Sequence, residues 1–353
     1  MPETEPQSAE KTDILSLTFE ELSQQLAELG AQKFRAAQVF EWLHVRKVQN
    51  FTQMTNLSIQ MRTMLDEMFC IKSLFVAKKL ESYTDNTVKY LYRLSDGNFV
   101  ETVLMDYAHG TSVCVSTQVG CRMGCRFCAS AIAGFRRNLT ASEILLQIYE
   151  SERESGRKIS SVVLMGIGEP LDNYDNVVRF LRLLSEPKGF GLSLRHVSLS
   201  TCGLVPEIDL LADEGFGLTL SVSLHAADDT ARSGIMPVNL RYPVPELMAA
   251  CDRYFEKTGR RISFEFAVIE GINDTEDSAI KLARLIGKRN CHVNLIPVNA
   301  VKERDYHGSR TSAKRFLQHL KNLGINATIR RTLGADIEAA CGQLRRSHEE
   351  AQS

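Results

Sequence analysis

From residue 113 onward the chain alternates short β-branched runs with amphipathic helical stretches, and no other feature narrows the fold as much. The runs VCVSTQ, SSVVLMG, HVSLST, GLTLSVSLH, ISFEFAVI and HVNLIPVN are too short for helices and read as six strands. Helical patterns such as SEILLQIYESERES and DNVVRFLRLLS separate them, opened by the cap candidates Thr140 and Asn173. Repeated βα units predict a parallel sheet, because a helical crossover returns the chain to the same end of the sheet. Six such units suit an α/β fold of the incomplete (β/α)6 barrel type. An open Rossmann-type sheet has the same periodicity and stands as the alternative. In either case ligands gather at the C-terminal ends of the strands, so the loops there are where chemistry is expected.

Upstream the pattern differs. Residues 1–12 are acidic, polar and proline-containing, and read as a disordered tail. Residues 13–75 carry apolar side chains at helical spacing, as in Phe19, Leu22, Leu26 and Leu29 or Ala37, Val39, Phe40 and Leu43, and are expected to form a helical accessory domain. Thr18 and Thr55 are N-cap candidates there, and Gly30 breaks the first helix. Residues 76–106 switch to alternation, VKYLYRL and then NFVETVLM after Asp96-Gly97, which reads as a hairpin-like β connection. Residues 107–334 form the βα core, and residues 335–353 remain as a C-terminal segment.

No apolar run approaches the ~18 residues of a membrane span, and the N-terminus lacks the basic start and apolar middle of a secretory leader. A cytoplasmic enzyme is expected. Nine cysteines, an odd number, argue for reduced thiols in metal or redox work rather than a disulfide framework. The net charge of −1 supplies no global field for nucleic acid. Any RNA contact must come from local pairs such as Arg136-Arg137, Arg260-Arg261, Arg330-Arg331 and Arg345-Arg346, each of which could equally be a solvated surface.

The loop after the first core strand, GCRMGCRFCAS, holds Cys121, Cys125 and Cys128 in the spacing Cys-x3-Cys-x2-Cys. A zinc site wants four protein ligands and usually pairs of cysteines. Three thiolates instead leave a cubane 4Fe-4S cluster with one iron open to an exogenous ligand. One βα unit later SSVVLMG runs into GIGEP, where Gly166 and Gly168 allow close backbone approach and Glu169 could grip a cationic amine. Alone, such a Gly-Pro sequence is commonly just a turn. Cys114 and Cys341 stand at spacings that do not suit the metal, and each alone reads as a buried small residue.

The triplet, with the aromatic Phe127 before its last cysteine, resembles the signature of the radical S-adenosylmethionine (SAM) superfamily. CVSTQVGC, MGIGEPLDNYDNV, STCGLVP, SLHA, PVNLRYP and GADIEAACGQL, with FRAAQVFEWLH and MTNLS upstream, resemble the RlmN/Cfr family of RNA methyltransferases over about residues 14–346. The resemblance implies one 4Fe-4S cluster on Cys121, Cys125 and Cys128. It implies SAM contacts from Gly168, Glu169, Ser200, Ser223, Leu224, His225 and Asn299. In that family Cys341 would carry a methyl group, Cys114 would release the product through a disulfide, and Glu101 would be the base. As a lone carboxylate in a strand, Glu101 also reads as simply solvated. The C-terminal segment would close over the barrel mouth.

The implied substrates are carbon 2 of an adenosine in 23S rRNA near the peptidyl-transferase centre and of the adenosine next to the anticodon in some tRNAs. Carbon 2 of adenine is electron-poor, which is why a radical route is required. The base would have to leave its stack, so a loop or junction is the expected target. The continuation GEPLDNYDNV resembles the RlmN branch, while the Cfr branch, acting on carbon 8, tends to replace that proline with alanine. A radical SAM enzyme on a non-RNA substrate is the further alternative. An external flavodoxin-like electron donor and a monomeric state complete the expectation. Cys202 stands where many relatives have Val or Ser and has no assigned role; Cys70, Cys251 and Cys291 read as core residues.

Overall fold

The computed structural model describes residues 11–299, 301, 303, 305–339 and 343. Its first part is three helices, α1 (Phe19–Glu28), α2 (Phe34–His44) and α3 (Ile59–Met68). Thr18 opens α1 with a capping box: its hydroxyl accepts the Glu21 amide and the Glu21 carboxylate accepts the Thr18 amide. The cap of α3 is Ser58, whose hydroxyl accepts the Met61 amide at 3.2 Å, rather than Thr55. Leu22, Leu26, Val39, Phe40 and Leu43 share one apolar core with Ile144, Leu145 and Ile148 of the βα region, so the helical unit is packed onto it. His44 Nδ1 and the Tyr149 hydroxyl meet at 2.9 Å within that contact.

Apart from two short two-stranded pairings, ten strands form one sheet: β1 (Phe75–Glu81), β2 (Val88–Arg93), β3 (Phe99–Tyr107), β4 (Gly110–Cys114), β5 (Ile159–Leu164), β6 (Val197–Thr201), β7 (Thr219–Ser223), β8 (Ile262–Val268), β9 (Cys291–Pro297) and β10 (Ala327–Ile329). Strands β1 to β4 pair antiparallel, so the expected hairpin is part of the main sheet; from β4 to β10 every pairing is parallel. The parallel steps are crossed by α4 (Ala141–Ser155), α5 (Tyr174–Ser185), α6 (Val205–Asp213), α7 and α8 (Asp229–Ile235 and Val244–Thr258), α9 (Glu276–Ile286) and α10 (Arg310–Asn322).

Spatial order follows chain order without a reversal. A doubly wound sheet reverses at a switch point, whereas a barrel does not, so the Rossmann alternative falls and a partial barrel of six βα units remains. β10, three residues long, is a seventh parallel strand that periodicity alone did not suggest. No described helix is long and apolar enough to cross a membrane.

Two capping residues behave differently. Thr140 and Glu143 build a capping box on α4. Asn173 stands at the start of α5 but makes no side-chain cap; its amide donates to the carbonyls of Thr117 and Leu139 at 2.8 Å each, tying that helix to the loop after β4. A second, smaller apolar cluster joins Val103, Met105 and Cys114 to Leu333 and Ala339, which brings the C-terminal segment onto the inner face of β3 and β4.

Candidate active site

The loop after β4 is laid against the loop after β5 through their backbones. Thr117 and Gln118 amides both donate to the Ile167 carbonyl, at 2.9 and 3.2 Å, and the Gly166 amide donates to Val115 O at 3.1 Å. A Cβ on Gly166 would stand 2.6 Å from Val115 O, and one on Gly168, at φ +110°, would stand 2.7 Å from Gln118 Cβ. The glycines of GIGEP are therefore demanded by contact between the two loops as well as by any ligand. The Ser116 hydroxyl extends the link, accepting the Ile167 amide and donating to the Glu101 carbonyl at 2.6 Å.

Glu169 is buried and already engaged: Oε1 accepts the Leu171 amide at 3.1 Å and Oε2 accepts the Cys202 amide at 2.7 Å. Burial raises its pKa, and the amides oppose that rise. The carboxylate thus ties the loop after β5 to the end of β6 while still bordering the cleft beside them.

That cleft lies at the C-terminal ends of the parallel strands. Its walls bring together Cys121, Cys125 and Cys128 with Gly168, Glu169, Ser200, Ser223, His225 and Asn299. Leu224 does not border it; its side chain is fully buried in the apolar core. Burial pushes the Cys121 thiol up to about 12 and Cys125 higher still, and the neighbouring thiols add to both shifts. A bound metal centre reverses this balance by deprotonating its thiols outright.

Among the described residues no group of three His, Cys, Asp or Glu side chains could hold a metal ion. A zinc ion needs its thiolates within ~2.3 Å of a single point, whereas a cubane distributes three cysteines over three separate irons. Three thiols lining one cleft can each take a separate iron of a 4Fe-4S cluster.

His225 adopts φ +58°, a left-handed conformation uncommon for a residue with a Cβ. Its Nδ1 accepts the Ala267 amide at 2.9 Å, so the neutral ring carries its proton on Nε2. Burial lowers its pKa to about 3, and the Arg232 charge adds to the effect. The Phe127 ring stands edge-on to it, centroids 4.9 Å apart, linking the cysteine loop to the end of β7.

Beneath the cleft lies Arg232, which sequence reasoning did not single out. It is fully buried on α7 and donates to Leu224 O (3.0 Å), Cys202 O (2.6 Å), Ser223 O (3.1 Å) and Asn239 Oδ1 (3.0 Å). A guanidinium with five fixed donors can gather the carbonyls of two neighbouring strand ends in this way.

A second cavity adjoins the first. Cys114, Val103, Met105, Leu333 and Ala339 line it, and it shares Met165, Ile296, Asn299 and Arg330 with the cleft. Glu101 precedes Val103 by two residues on β3 and so faces the same side of the sheet. It is buried, 1% exposed, and paired with Lys89 at 3.3 Å, so the solvated alternative fails. Lys89 was not anticipated either. Cys341 lies outside the described residues, as do Arg345 and Arg346. Of the remaining arginine pairs, Arg137 is held by Asp96 and Glu143, while Arg330 and Arg331 line the Cys114 cavity.

Comparison with known proteins agrees along the chain. The family model for the ribosomal RNA large subunit methyltransferase N-terminal domain matches residues 12–71, and that for the radical SAM superfamily matches residues 115–283. A protein of Lachnoclostridium phytofermentans (strain ATCC 700394 / DSM 18823 / ISDg), named probable dual-specificity RNA methyltransferase RlmN, is 52% identical over 346 residues, 96% of each chain. One of the same name from Clostridium perfringens (strain 13 / Type A) is 49% identical over 337 residues, covering 95% of this chain and 97% of its own. The crystal structure of a radical SAM methyltransferase from Sphaerobacter thermophilus, 43% identical, aligns with a TM-score of 0.91 over 95% of this chain and 100% of that one. Agreement of this length, on a fold whose three-cysteine cleft suits a 4Fe-4S cluster, means that the chain belongs to the RlmN family of radical SAM methyltransferases, enzymes that work with that cluster and SAM.

Proposed function

We propose that the enzyme methylates carbon 2 of adenosine in 23S rRNA and of the adenosine next to the anticodon in tRNA. The observation that carries this reading is the continuity of the two cavities: the cysteine cleft and the Cys114 cavity share four wall residues, and the chain reaches that second cavity at Ala339, two positions before Cys341 in sequence. The names of the relatives, RNA methyltransferases of dual specificity, support RNA as the substrate class.

Cys121, Cys125 and Cys128 would hold the cluster. Gly168, Glu169, Ser200, Ser223, His225 and Asn299 would hold SAM from the cleft walls, and Leu224 through its backbone. When bound, these cofactors supply a methyl group and a 5′-deoxyadenosyl radical. Cys341 would accept the methyl group on sulfur, give up one hydrogen atom of that methyl to the 5′-deoxyadenosyl radical, bond through the carbon to the base, and pass the remaining unpaired electron to the cluster. Glu101, buried on the same face of β3 as Val103 of the second cavity, takes the proton from carbon 2. Cys114 then attacks the Cys341 sulfur: an S–S bond forms, the S–C bond breaks, and the carbon leaves with the electron pair and takes up a proton. The resulting disulfide must be reduced by an external donor before the next turnover. To bring carbon 2 against these side chains, the adenine must be unstacked.

The experiment is mass spectrometry of 23S rRNA and tRNA from cells with and without this chain. Methyl on carbon 2, lost with the chain, is expected. Methyl on carbon 8, or no change in RNA, would contradict the reading.

A further inference from the structure

Lys89 is a buried ammonium in the strand β2, 8% exposed. The β2–β3 register sets Lys89 opposite Val103 and Leu91 opposite Glu101, so Lys89 and Glu101 are diagonal neighbours on the cavity face. Burying an ammonium is unfavourable unless its donors are satisfied. Two of them go to Glu101 Oε1 at 3.3 Å and to the backbone carbonyl of Glu338 at 3.1 Å. One cation therefore touches both the candidate base and the segment that leads to Cys341.

The same hairpin grips that segment a second time through its turn. The Asp336 carboxylate accepts the Ser82 hydroxyl (2.8 Å), the Tyr83 amide (3.1 Å) and the Thr84 hydroxyl (3.2 Å), and the Gly334 amide donates to Asp85 Oδ2 at 3.1 Å. Gly334 sits at φ +62°, and a Cβ there would stand 2.8 Å from both Thr87 Cγ2 and Ala339 Cβ. The turn between β1 and β2 is thus a cradle for residues 334–338, and Lys89 is the point where the cradle meets the catalytic wall.

We propose that Lys89 is a positioning residue that seats the C-terminal segment and the Glu101 carboxylate together, so that proton removal and disulfide release occur only with the segment docked. This rests on the function proposed above. Lys89 acts through Glu101 and the Glu338 carbonyl, not on the base itself.

The test compares Lys89→Met, Lys89→Arg and Asp336→Ala in the full-length holoenzyme. Two readouts are taken: hydrogen exchange at the Gly334 and Ala339 amides, and the partition of RNA between methylated product and covalent protein adduct. Lys89→Met should exchange roughly tenfold faster at these amides and shift the partition toward adduct by a similar factor. Lys89→Arg should restore both to within roughly threefold, because arginine can still serve both acceptors. Asp336→Ala should raise exchange with a smaller change in partition, since the Lys89–Glu101 pair is intact. Unchanged exchange in Lys89→Met, or an arginine variant as impaired as the methionine one while equally folded, would overturn the proposal. A wild-type chain that makes no methylated adenosine would overturn the function itself, whatever the exchange data show.

Discussion

The carboxylate of Glu169 accepts the backbone amide of Cys202 at 2.7 Å, tying the loop after β5 to the end of β6 at the floor of the cysteine cleft. Its other oxygen accepts the Leu171 amide. Glu169→Gln keeps the shape but turns an NH2 toward one of these donors. A buried amide left without an acceptor costs about 1–3 kcal/mol. Urea unfolding should show a loss of that size, and calorimetric titration should show weaker SAM binding. Unchanged stability and SAM affinity would mean that the brace is dispensable.

Arg232 should be more sensitive. Replacing it with Met strands the carbonyls of Cys202, Ser223 and Leu224 that its guanidinium now serves. With ~1 kcal/mol or more lost per acceptor, Arg232→Met should destabilise the chain by about 3 kcal/mol and disturb SAM binding. Arg232→Lys should recover only part of this, because an ammonium lacks the planar fork. The check is chemical denaturation with SAM titration for both variants. A methionine variant as stable as the parent would contradict the role assigned here.

Stability should fall with acidity below pH 6.5. Burial lowers both His44 and His225 from 6.5 to about 3. Between those values the unfolded chain binds protons that the folded chain refuses, so stability present above pH 6.5 is lost as pH falls. Each histidine contributes about 1.4 kcal/mol per pH unit in that window, or about 2 kcal/mol by pH 5. His44→Phe, placed against Phe40, should flatten the slope of unfolding free energy between pH 6.5 and 5. A slope identical to the parent's would show that His44 titrates normally.

Several of these residues were legible in sequence and others were not, for identifiable reasons. The cysteine triplet is a local signal of spacing, whereas GIGEP, Ser223 and His225 alone read as a turn and the close of a strand and take on a role only through the family resemblance. The resemblance assigns Leu224 together with Ser223 and His225, yet its side chain, just past the end of β7, turns into the core. Arg232 sits in the polar stretch ADDTARSG, which reads as exposed; its burial comes from carbonyls on two other elements. Lys89 looks like the outward residue of an alternating strand, and its partner Glu338 lies 249 positions away. β10 is too short to carry a period.

The account depends most on Cys114 resolving a covalent intermediate carried by Cys341. The direct measurement is anaerobic turnover of Cys114→Ala holoenzyme with RNA under reducing conditions, followed by denaturing electrophoresis and mass spectrometry of the protein. A stalled protein–RNA adduct attached through Cys341 is predicted, absent from Cys341→Ala and resolved in the parent. Normal turnover by Cys114→Ala, or no trapped adduct, would contradict it.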